Sequence, residues 1–308
     1  MRIIITGACG HIGSFVSNKI YKIKKLKELI LIDNFSSQRY FSIFNIRNKV
    51  KTKFYEIDVS KKDSLNIFKK TDYLIHCASY TNAEGSFNIK KEMFRNNLDC
   101  MRNVINYCKK FNSKLIHISS TSVYGKQVKI VNEDNDYFLK PQSPYAEIKL
   151  LEEKMLKKNN NKLKYMSFRF GTIAGVSKGM RFHTAVNKFC LNAALNQNIQ
   201  IYKTAYDQYR PYLSLKDAFK VFKFCIEKNT FENSTYNALS GNYTVRQIIN
   251  FIKKYKKNLK IKFVKSKIMN QLSYFVDDSK IKKLGLNLKS DIKLDIKETL
   301  KIFNHLKK

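Results

Sequence analysis

The sequence predicts an α/β protein built on a doubly wound parallel sheet, with a second, smaller α/β lobe at its C-terminal end. Two observations predict this class. Short apolar segments alternate with longer segments of helical period through the first half of the chain, which is the pattern of right-handed βαβ units. The opening segment "RIIIT" is wholly apolar, as expected for a central strand buried on both faces of the sheet.

The elements follow in order along the chain. Strand candidates are 2–6, 29–33, 53–58, 73–78, 114–120 and 164–169, and helix candidates lie near 12–24, 62–70, 91–111 and 145–158. Beyond about residue 175 the pattern changes to helix candidates at 183–197, 216–228, 244–257 and 293–306, with short strand candidates at 234–239 and 261–264. No linker rich in Pro and Gly separates the halves. We therefore expect a first domain over 1–175 and a lobe over 176–308 packed against it, with some interleaving.

The bulk composition indicates a globular protein. It has 308 residues, of which 44% are apolar, enough for a substantial core. No apolar run approaches the roughly 20 residues that cross a bilayer, and no signal segment is recognisable, so we expect a cytoplasmic protein without a membrane partner. The six cysteines are scattered with no C-x-x-C pair. A disulfide framework or a metal site is therefore not expected.

A formal net charge of +35 raises the question of nucleic-acid binding. The lysines are spread along the whole chain, and only nine of the 59 basic residues are arginines. We interpret the charge as a lysine-rich solvated surface that favours an anionic small substrate, such as a nucleotide diphosphate. No nucleic-acid partner is predicted.

The segment "TGACGHIG" places Gly7, Gly10 and Gly13 three residues apart, directly after the first strand and before a helix. In a Rossmann-type turn the first glycine permits the tight turn, the second lets the backbone approach a pyrophosphate, and the third lets the helix pack on the strand. Glycines that serve only the turn would give the same spacing. The wider context favours a dinucleotide site.

Two carboxylates follow the next two strands. Asp33, 20 residues beyond Gly13, ends "LILID", where a carboxylate accepts hydrogen bonds from both hydroxyls of an adenosine ribose and repels a 2′-phosphate. This favours NAD over NADP, although Asp33 could instead cap a turn. Asp58 is placed to meet the adenine edge. Its alternative is the N-terminal cap of the helix at 62–70.

The segment "SPYAEIK" places Tyr145 and Lys149 four residues apart, on one face of a predicted helix. A lysine ammonium beside a phenol stabilises the phenolate, and a cationic nicotinamide ring adds to the effect. Such a phenol exchanges a proton with a sugar hydroxyl while hydride moves to or from the cofactor. The segment "ISSTSVYG" (118–125) adds hydroxyls at the carboxyl end of the fifth strand, where ligands of α/β sheets collect.

Seven motifs in this order and spacing make the family recognisable. They are TGACGHIG, the acid Asp33, "HCAS" (76–79), "NNLD" (96–99), "ISSTSVYG", "YAEIK" and "RFGTIAG" (169–175). The chain resembles the extended short-chain dehydrogenase/reductase family of NAD-dependent nucleotide-sugar epimerases and dehydratases. This resemblance implies that residues 1–175 bind NAD and that 176–308 bind a nucleotide-diphosphate sugar. It also implies a homodimer through helices 91–111 and 145–158.

The resemblance assigns Tyr145 as catalytic base, Lys149 as its helper and Ser120 as the catalytic hydroxyl. Arg210, in "YDQYRPYLSLKDA", matches an arginine that clamps the diphosphate, and Asn187 lies where the family's nucleotide-binding helix begins. The predicted cofactor contacts are Gly7, Gly10, His11, Ile12, Gly13, Asp33, Asn34, Asp58, Val59, Cys77, Ala78, Ser79, Asn96, Tyr145 and Lys149. The predicted substrate contacts are Thr121, Ser122, Thr172, Asn187 and Arg210.

Departures from the family pattern narrow the reaction. Family 4,6-dehydratases carry Asp and Glu directly after the catalytic Thr, and here those positions are Thr121 and Ser122, which disfavours dehydration. The resemblance thus implies an epimerase acting at C4 of the sugar through a 4-keto intermediate. Thr172 and the altered "RPYLSL" leave a 4-dehydrogenase or ketosugar reductase open. A non-catalytic NAD-binding protein is the third alternative.

Overall fold

The computed structural model describes residues 1–46, 50–83, 85–127, 130–265, 274–303 and 305. The strands are β1 (Arg2–Thr6), β2 (Glu28–Asp33), β3 (Lys51–Glu56), β4 (Tyr73–His76), β5 (Lys114–Ser120), β6 (Ile130–Val131), β7 (Tyr165–Phe170), β8 (Thr172–Ala174), β9 (Ile199–Tyr202), β10 (Tyr209–Ser214), β11 (Ser234–Ala238), β12 (Gly241–Thr244), β13 (Ile261–Val264) and β14 (Phe275–Val276). The helices are α1 (His11–Ser17), α2 (Lys90–Phe111), α3 (Pro144–Lys158), α4 (Ala185–Ala194), α5 (Leu215–Lys228), α6 (Val245–Lys253), α7 (Ser279–Lys283) and α8 (Ile292–Ile302).

Seven strands form one parallel sheet in the order β11-β7-β5-β4-β1-β2-β3. The predicted fold class is therefore confirmed. The chain order reverses at β1, which lies between β2 and β4, and the carboxyl ends of these strands open a crevice where doubly wound sheets bind ligands.

The first strand shows why its sequence is wholly apolar. Ile3 and Ile5 face one core with residues of α1 and α5, whereas Ile4 faces the opposite core with residues of α2. Alternate side chains point to opposite faces of a strand, so a strand covered by helices on both faces needs apolar residues throughout.

The chain after residue 175 contributes to both lobes. β11 forms one edge of the large sheet by pairing with β7, and α5 packs against α1. The smaller lobe contains the three-stranded sheet β12-β10-β8 and the pair β13-β9. Its core joins α4, α6 and α8 through residues such as Val186, Ile249 and Ile296.

The predicted helix at 62–70 is wrong. The segment forms consecutive turns, with amide nitrogens bonding three residues back, as in Asn66 N to Asp63 O at 2.9 Å. Asp63 has a positive φ of 60°, which interrupts helical geometry. Leu65 and Phe68 are nonetheless buried against the second core, and their three-residue spacing suits turns as well as a helix.

The other predicted elements are present with shifted ends. The candidate at 12–24 is shorter, because α1 ends at Ser17 and a 3₁₀ turn follows at Ile20–Lys22. The candidate at 293–306 corresponds to α8, and part of its predicted end lies outside the described residues. No helix in the described part of the chain is long and apolar enough to cross a bilayer.

Candidate active site

A continuous cleft runs along the carboxyl ends of the central strands. We call its two parts the sheet end, lined by residues such as Asp33, Asp58 and Asn96, and the lobe end, lined by residues such as Ser120 and Arg210. Both parts share wall residues, namely Gly7, Gly10, Arg39, Cys77, Ser79, Thr81, Asn82 and His183.

The glycine-rich turn connects β1 to α1 at the centre of this cleft. Gly7 has φ +65°, and a Cβ there would lie 2.5 Å from the backbone nitrogen of Ala78. A Cβ on Gly13 would lie 2.1 Å from the carbonyl oxygen of Gly7, so only glycine lets α1 start this close to β1. His11, Ile12 and Gly13 line the lobe end of the cleft. The turn thus exposes backbone to the cleft in the way that a pyrophosphate requires.

Asp33 lies at the carboxyl end of β2 and is 9% exposed. One carboxylate oxygen accepts a hydrogen bond from Cys9 N and the other accepts from Phe35 N, both at 2.9 Å. Burial raises the pKa of Asp33 above its ordinary value, although these hydrogen bonds favour the charged form. The residue therefore braces the glycine-rich turn as well as facing the cleft.

Asp58 lies two residues beyond β3 and accepts hydrogen bonds from Ser60 N at 2.9 Å and from Ser60 Oγ at 2.7 Å. It caps a turn rather than a helix, because the expected helix at 62–70 is absent. The remaining predicted contacts at the sheet end also line this part of the cleft: Asn34, Val59, Cys77, Ala78, Ser79 and Asn96.

Three predicted catalytic residues line the lobe end together. Ser120 ends β5, whereas Tyr145 and Lys149 lie on the first turns of α3. This helix begins at Pro144, and the side chain of the preceding Ser143 caps it by accepting a hydrogen bond from Ala146 N. The Lys149 Nζ atom lies 5.8 Å from the centre of the Tyr145 ring.

The two hydroxyl residues that follow β5, Thr121 and Ser122, differ in orientation. Ser122 donates from both its amide and its hydroxyl to Ser120 Oγ, at 3.2 and 2.9 Å. Thr121 instead directs its hydroxyl to the carbonyl oxygen of Phe170 at 3.3 Å. Both residues line the lobe end. The Ser120 oxygen thus accepts two hydrogen bonds from Ser122, which leaves its hydroxyl hydrogen to be donated to a ligand.

The second lobe supplies the outer wall. Thr172 on β8 and Arg210 on β10 line the lobe end, and Arg210 Nη2 donates to Gln208 Oε1 at 3.3 Å. Asn187 is not on the cleft wall. It is fully buried behind it, where its Nδ2 atom donates to Arg181 O at 3.1 Å and lies 3.3 Å from His11 Nε2.

Sequence reasoning missed two arginines and one histidine of the cleft wall: Arg39, Arg181 and His183. Arg181 donates to Thr81 Oγ1, and burial lowers its pKa. Burial, followed by the positive charge of Arg181, lowers the pKa of His183 to about 4. All three residues lie in loops between motifs, where no local signal in the sequence marks them.

The cleft fits a dinucleotide. The site has the features of a short-chain dehydrogenase/reductase: a glycine-rich turn at Gly7 and Gly13, a carboxylate at the end of β2, and an adjoining set of Ser120, Tyr145 and Lys149. The chain belongs to the NAD dependent epimerase/dehydratase family, whose sequence model matches residues 3–238. NAD is the cofactor of this family.

Among curated proteins, the chain is 26% identical over 303 residues to a trifunctional UDP-glucose 4,6-dehydratase/UDP-4-keto-6-deoxy-D-glucose 3,5-epimerase/UDP-4-keto-L-rhamnose-reductase of Arabidopsis thaliana. That match covers 92% of this chain and 44% of the plant protein. The chain thus spans less than half the length of this relative.

Two solved structures share the fold over nearly the whole chain. The UDP-glucose 4-epimerase of Thermus thermophilus, in complex with NAD, has a TM-score of 0.86 at 19% identity and covers 99% of each chain. The UDP-glucuronic acid 4-epimerase of Bacillus cereus, in complex with UDP-glucuronic acid and NAD, also has a TM-score of 0.86, at 22% identity, and covers 98% of this chain and 99% of the other.

Proposed function

We propose that this protein is a nucleotide-sugar 4-epimerase that acts through a 4-keto sugar. Bound NAD supplies a hydride acceptor that returns the hydride within the same catalytic cycle. In this scheme Gly7, Gly10 and Gly13 hold the pyrophosphate of the cofactor, and Asp33 binds the adenosine ribose.

The residues of the lobe end move the proton. Tyr145, as phenolate, removes the proton from the sugar 4-hydroxyl. It returns the proton after the bound 4-keto sugar has rotated to present its other face. Ser120 donates a hydrogen bond to the same sugar oxygen, and the Lys149 ammonium stabilises the phenolate. Arg210 pairs with the diphosphate of the substrate.

The observation that favours epimerisation over dehydration is the lack of acidic side chains at the lobe end. None of the described residues that line it is an aspartate or a glutamate. Elimination of water between C5 and C6 requires an acid and a base placed beyond the catalytic hydroxyl, and Thr121 and Ser122 occupy those positions. With NAD as hydride acceptor, a redox step at C4 would need from the chain only the Ser120, Tyr145 and Lys149 set.

The test incubates the purified protein with UDP-, GDP-, CDP- and dTDP-sugars without added cofactor and follows the sugar protons by NMR. We expect a 4-epimer of one sugar class to accumulate to equilibrium without net formation of NADH. Net cofactor reduction, or a requirement for added NADH, would instead identify a 4-dehydrogenase or a ketosugar reductase. Binding of NAD without turnover of any sugar in the panel would support a non-catalytic protein.

A further inference from the structure

Glu152 lies beneath the cleft wall, three residues after Lys149 on α3. The proposed reaction assigns it no role. Its side chain is 1% exposed. The Oε2 atom accepts a hydrogen bond from Lys149 Nζ at 2.8 Å and lies 2.9 Å from His117 Nε2. The other oxygen, Oε1, has no hydrogen-bond partner among the described residues. The carboxylate is therefore committed to Lys149 and His117.

His117 on β5 is fully buried and fixed at both ring nitrogens. Its Nδ1 atom lies 2.9 Å from Ser167 Oγ on β7, opposite the Nε2 contact with Glu152. Both ring nitrogens are thus within hydrogen-bond distance of a polar side-chain oxygen, with the carboxylate of Glu152 able only to accept. A chain of contacts thus runs from β7 through β5 to α3 and ends at Lys149.

Lys149 needs a counter-charge because its side chain is only 4% exposed. Burial alone opposes the charged ammonium, but the attraction of Glu152 outweighs it, so the pKa of Lys149 lies above its ordinary value. Burial likewise opposes the charged carboxylate, but Lys149 and His117 together lower the pKa of Glu152 to about 2. The other titratable groups that interact with this pair are His76, Cys77, Cys100 and Tyr145.

We propose that Glu152 is a positioning residue that fixes the Lys149 ammonium at the cleft wall and keeps it charged, with His117 and Ser167 holding Glu152 in turn. The proposal rests on the proposed function, because it assumes that Lys149 contacts NAD and Tyr145. Without the carboxylate, a buried lysine loses its proton at a much lower pH and donates no charged hydrogen bond.

The test measures NAD dissociation constants by calorimetry from pH 6 to pH 10, which is independent of turnover. We expect the affinity of the parent protein to stay level over this range. In Glu152→Gln it should fall about tenfold between pH 7 and pH 9, the size of one lost charge-assisted hydrogen bond. Glu147→Gln is the matched control, because Glu147 lies on the same helix with a 41% exposed side chain, and its profile should follow the parent.

Glu152→Asp separates charge from position. It keeps the negative charge one methylene farther away, so we expect a weaker affinity at every pH with no additional alkaline loss. A Glu152→Gln profile parallel to the parent would overturn the proposal and leave Glu152 a structural residue. If Glu152→Gln does not fold, an unchanged affinity in Glu152→Asp overturns it. A parent protein that binds no NAD at any pH would refute the proposed function itself.

Discussion

At the scale of single residues, the lobe end depends on groups that α3 and β5 bring together from distant parts of the sequence. Tyr145 and Ser120 are 25 positions apart in the chain, yet both line the same part of the cleft. Lys149 follows Tyr145 by about one helical turn, which places its ammonium near the phenol ring. A single hydroxyl is therefore the group whose removal tests the chemistry most directly.

Tyr145→Phe should abolish turnover while leaving NAD binding within about threefold of the parent, because the ring remains and only the proton-transferring oxygen is lost. General acid–base groups contribute about 10²–10⁴-fold to rate, so the residual rate should lie at least about 100-fold lower. Initial rates with the sugar identified from the panel, together with calorimetry of NAD, measure the two effects.

The control for this variant is Tyr137→Phe, which removes one phenol oxygen from a side chain that is 70% exposed and outside the cleft wall. Its rate should equal that of the parent. Turnover by Tyr145→Phe at the parent rate would contradict the assigned mechanism.

Gly13→Ala and Gly10→Ala should separate folding from cofactor binding. A Cβ on Gly13 would lie 2.1 Å from Gly7 O, whereas one on Gly10 would lie 3.3 Å from the same atom. We expect Gly13→Ala to lower the free energy of unfolding by about 2 kcal/mol or more, since backbone has to move to admit the methyl group. Gly10→Ala should cost less stability but weaken NAD binding, because Gly10 lines both parts of the cleft in which the cofactor is proposed to lie.

Urea unfolding and NAD calorimetry on both variants measure this separation. Equal losses of stability in the two variants would show that the turn accommodates either methyl group in the same way.

The sequence predicted the cleft residues that lie within local motifs and missed those that the tertiary fold alone recruits. Gly7 follows β1, Asp33 and Ser120 end strands, and Tyr145 lies in the first turn of α3. Their positions at the sheet edge could therefore be predicted from the pattern of strands and helices. Arg181 could not be predicted, because it lies in a loop before α4 and reaches the cleft only when the second lobe packs on the sheet.

At the scale of elements, α8 packs against β10 within the second lobe and pairs with Lys216 of α5 through one buried acid, Asp295. Asp295 is 1% exposed, and its Oδ2 atom has no hydrogen-bond partner in the described part of the chain. The nearest cation is Lys216, whose Nζ atom lies 3.7 Å from Oδ1. Burial raises the pKa of Asp295 to about 6, against an ordinary value of 3.8.

The sign of the pH effect follows from this upward shift. The folded protein holds a proton on Asp295 more tightly than the unfolded chain does, so the buried carboxylate destabilises the fold above about pH 6, and this cost is relieved as the pH falls towards 4. Asp295→Asn removes the charge. We expect it to raise the free energy of unfolding by about 2 kcal/mol at pH 8, and the difference should close by pH 4.

Urea unfolding of the parent and Asp295→Asn at pH 8, 6 and 4 measures this difference. Glu298→Gln is the control, because Glu298 also pairs with Lys216 but its side chain is 52% exposed. It should change stability little at any of these pH values. A loss of stability in Asp295→Asn at pH 8 would mean that the carboxylate stabilises the fold.

Each element that the sequence pattern misjudged has a local physical reason. In 62–70 the pair Leu65 and Phe68 satisfied a helical period, but Asp63 adopts a positive φ and the segment folds as turns. β10 was not predicted, and it contains Pro211, which cannot donate a backbone hydrogen bond. Pro211 lies opposite Asn242 of β12, whereas the pairing with β8 begins only at Tyr212, so the proline lies where one side of the strand is unpaired. Long amphipathic helices such as α2 were predicted within one residue, since their periodicity extends over several turns.

At the scale of the whole molecule, the net charge of +35 has to be reconciled with a small-molecule cleft. A positive field of this size raises the encounter rate of any anion, including RNA. The half-buried cations Arg39, Arg181 and Arg210 line the cleft, whereas the lysines are distributed along the whole sequence. Contacts from scattered surface lysines are screened by salt, whereas contacts inside a cleft are screened much less.

We therefore expect single-stranded RNA to bind weakly and to lose at least about tenfold in affinity between 50 and 200 mM NaCl, because such binding rests on counterion release. Over the same range the affinity for NAD should change less than about threefold, since in the proposed scheme backbone amides of the glycine-rich turn and Asp33 hold it. Fluorescence anisotropy of a labelled oligonucleotide and calorimetry of NAD measure the two slopes. RNA affinity that persists in 500 mM NaCl would indicate a built nucleic-acid groove, and the lysine-rich surface would then have a function of its own.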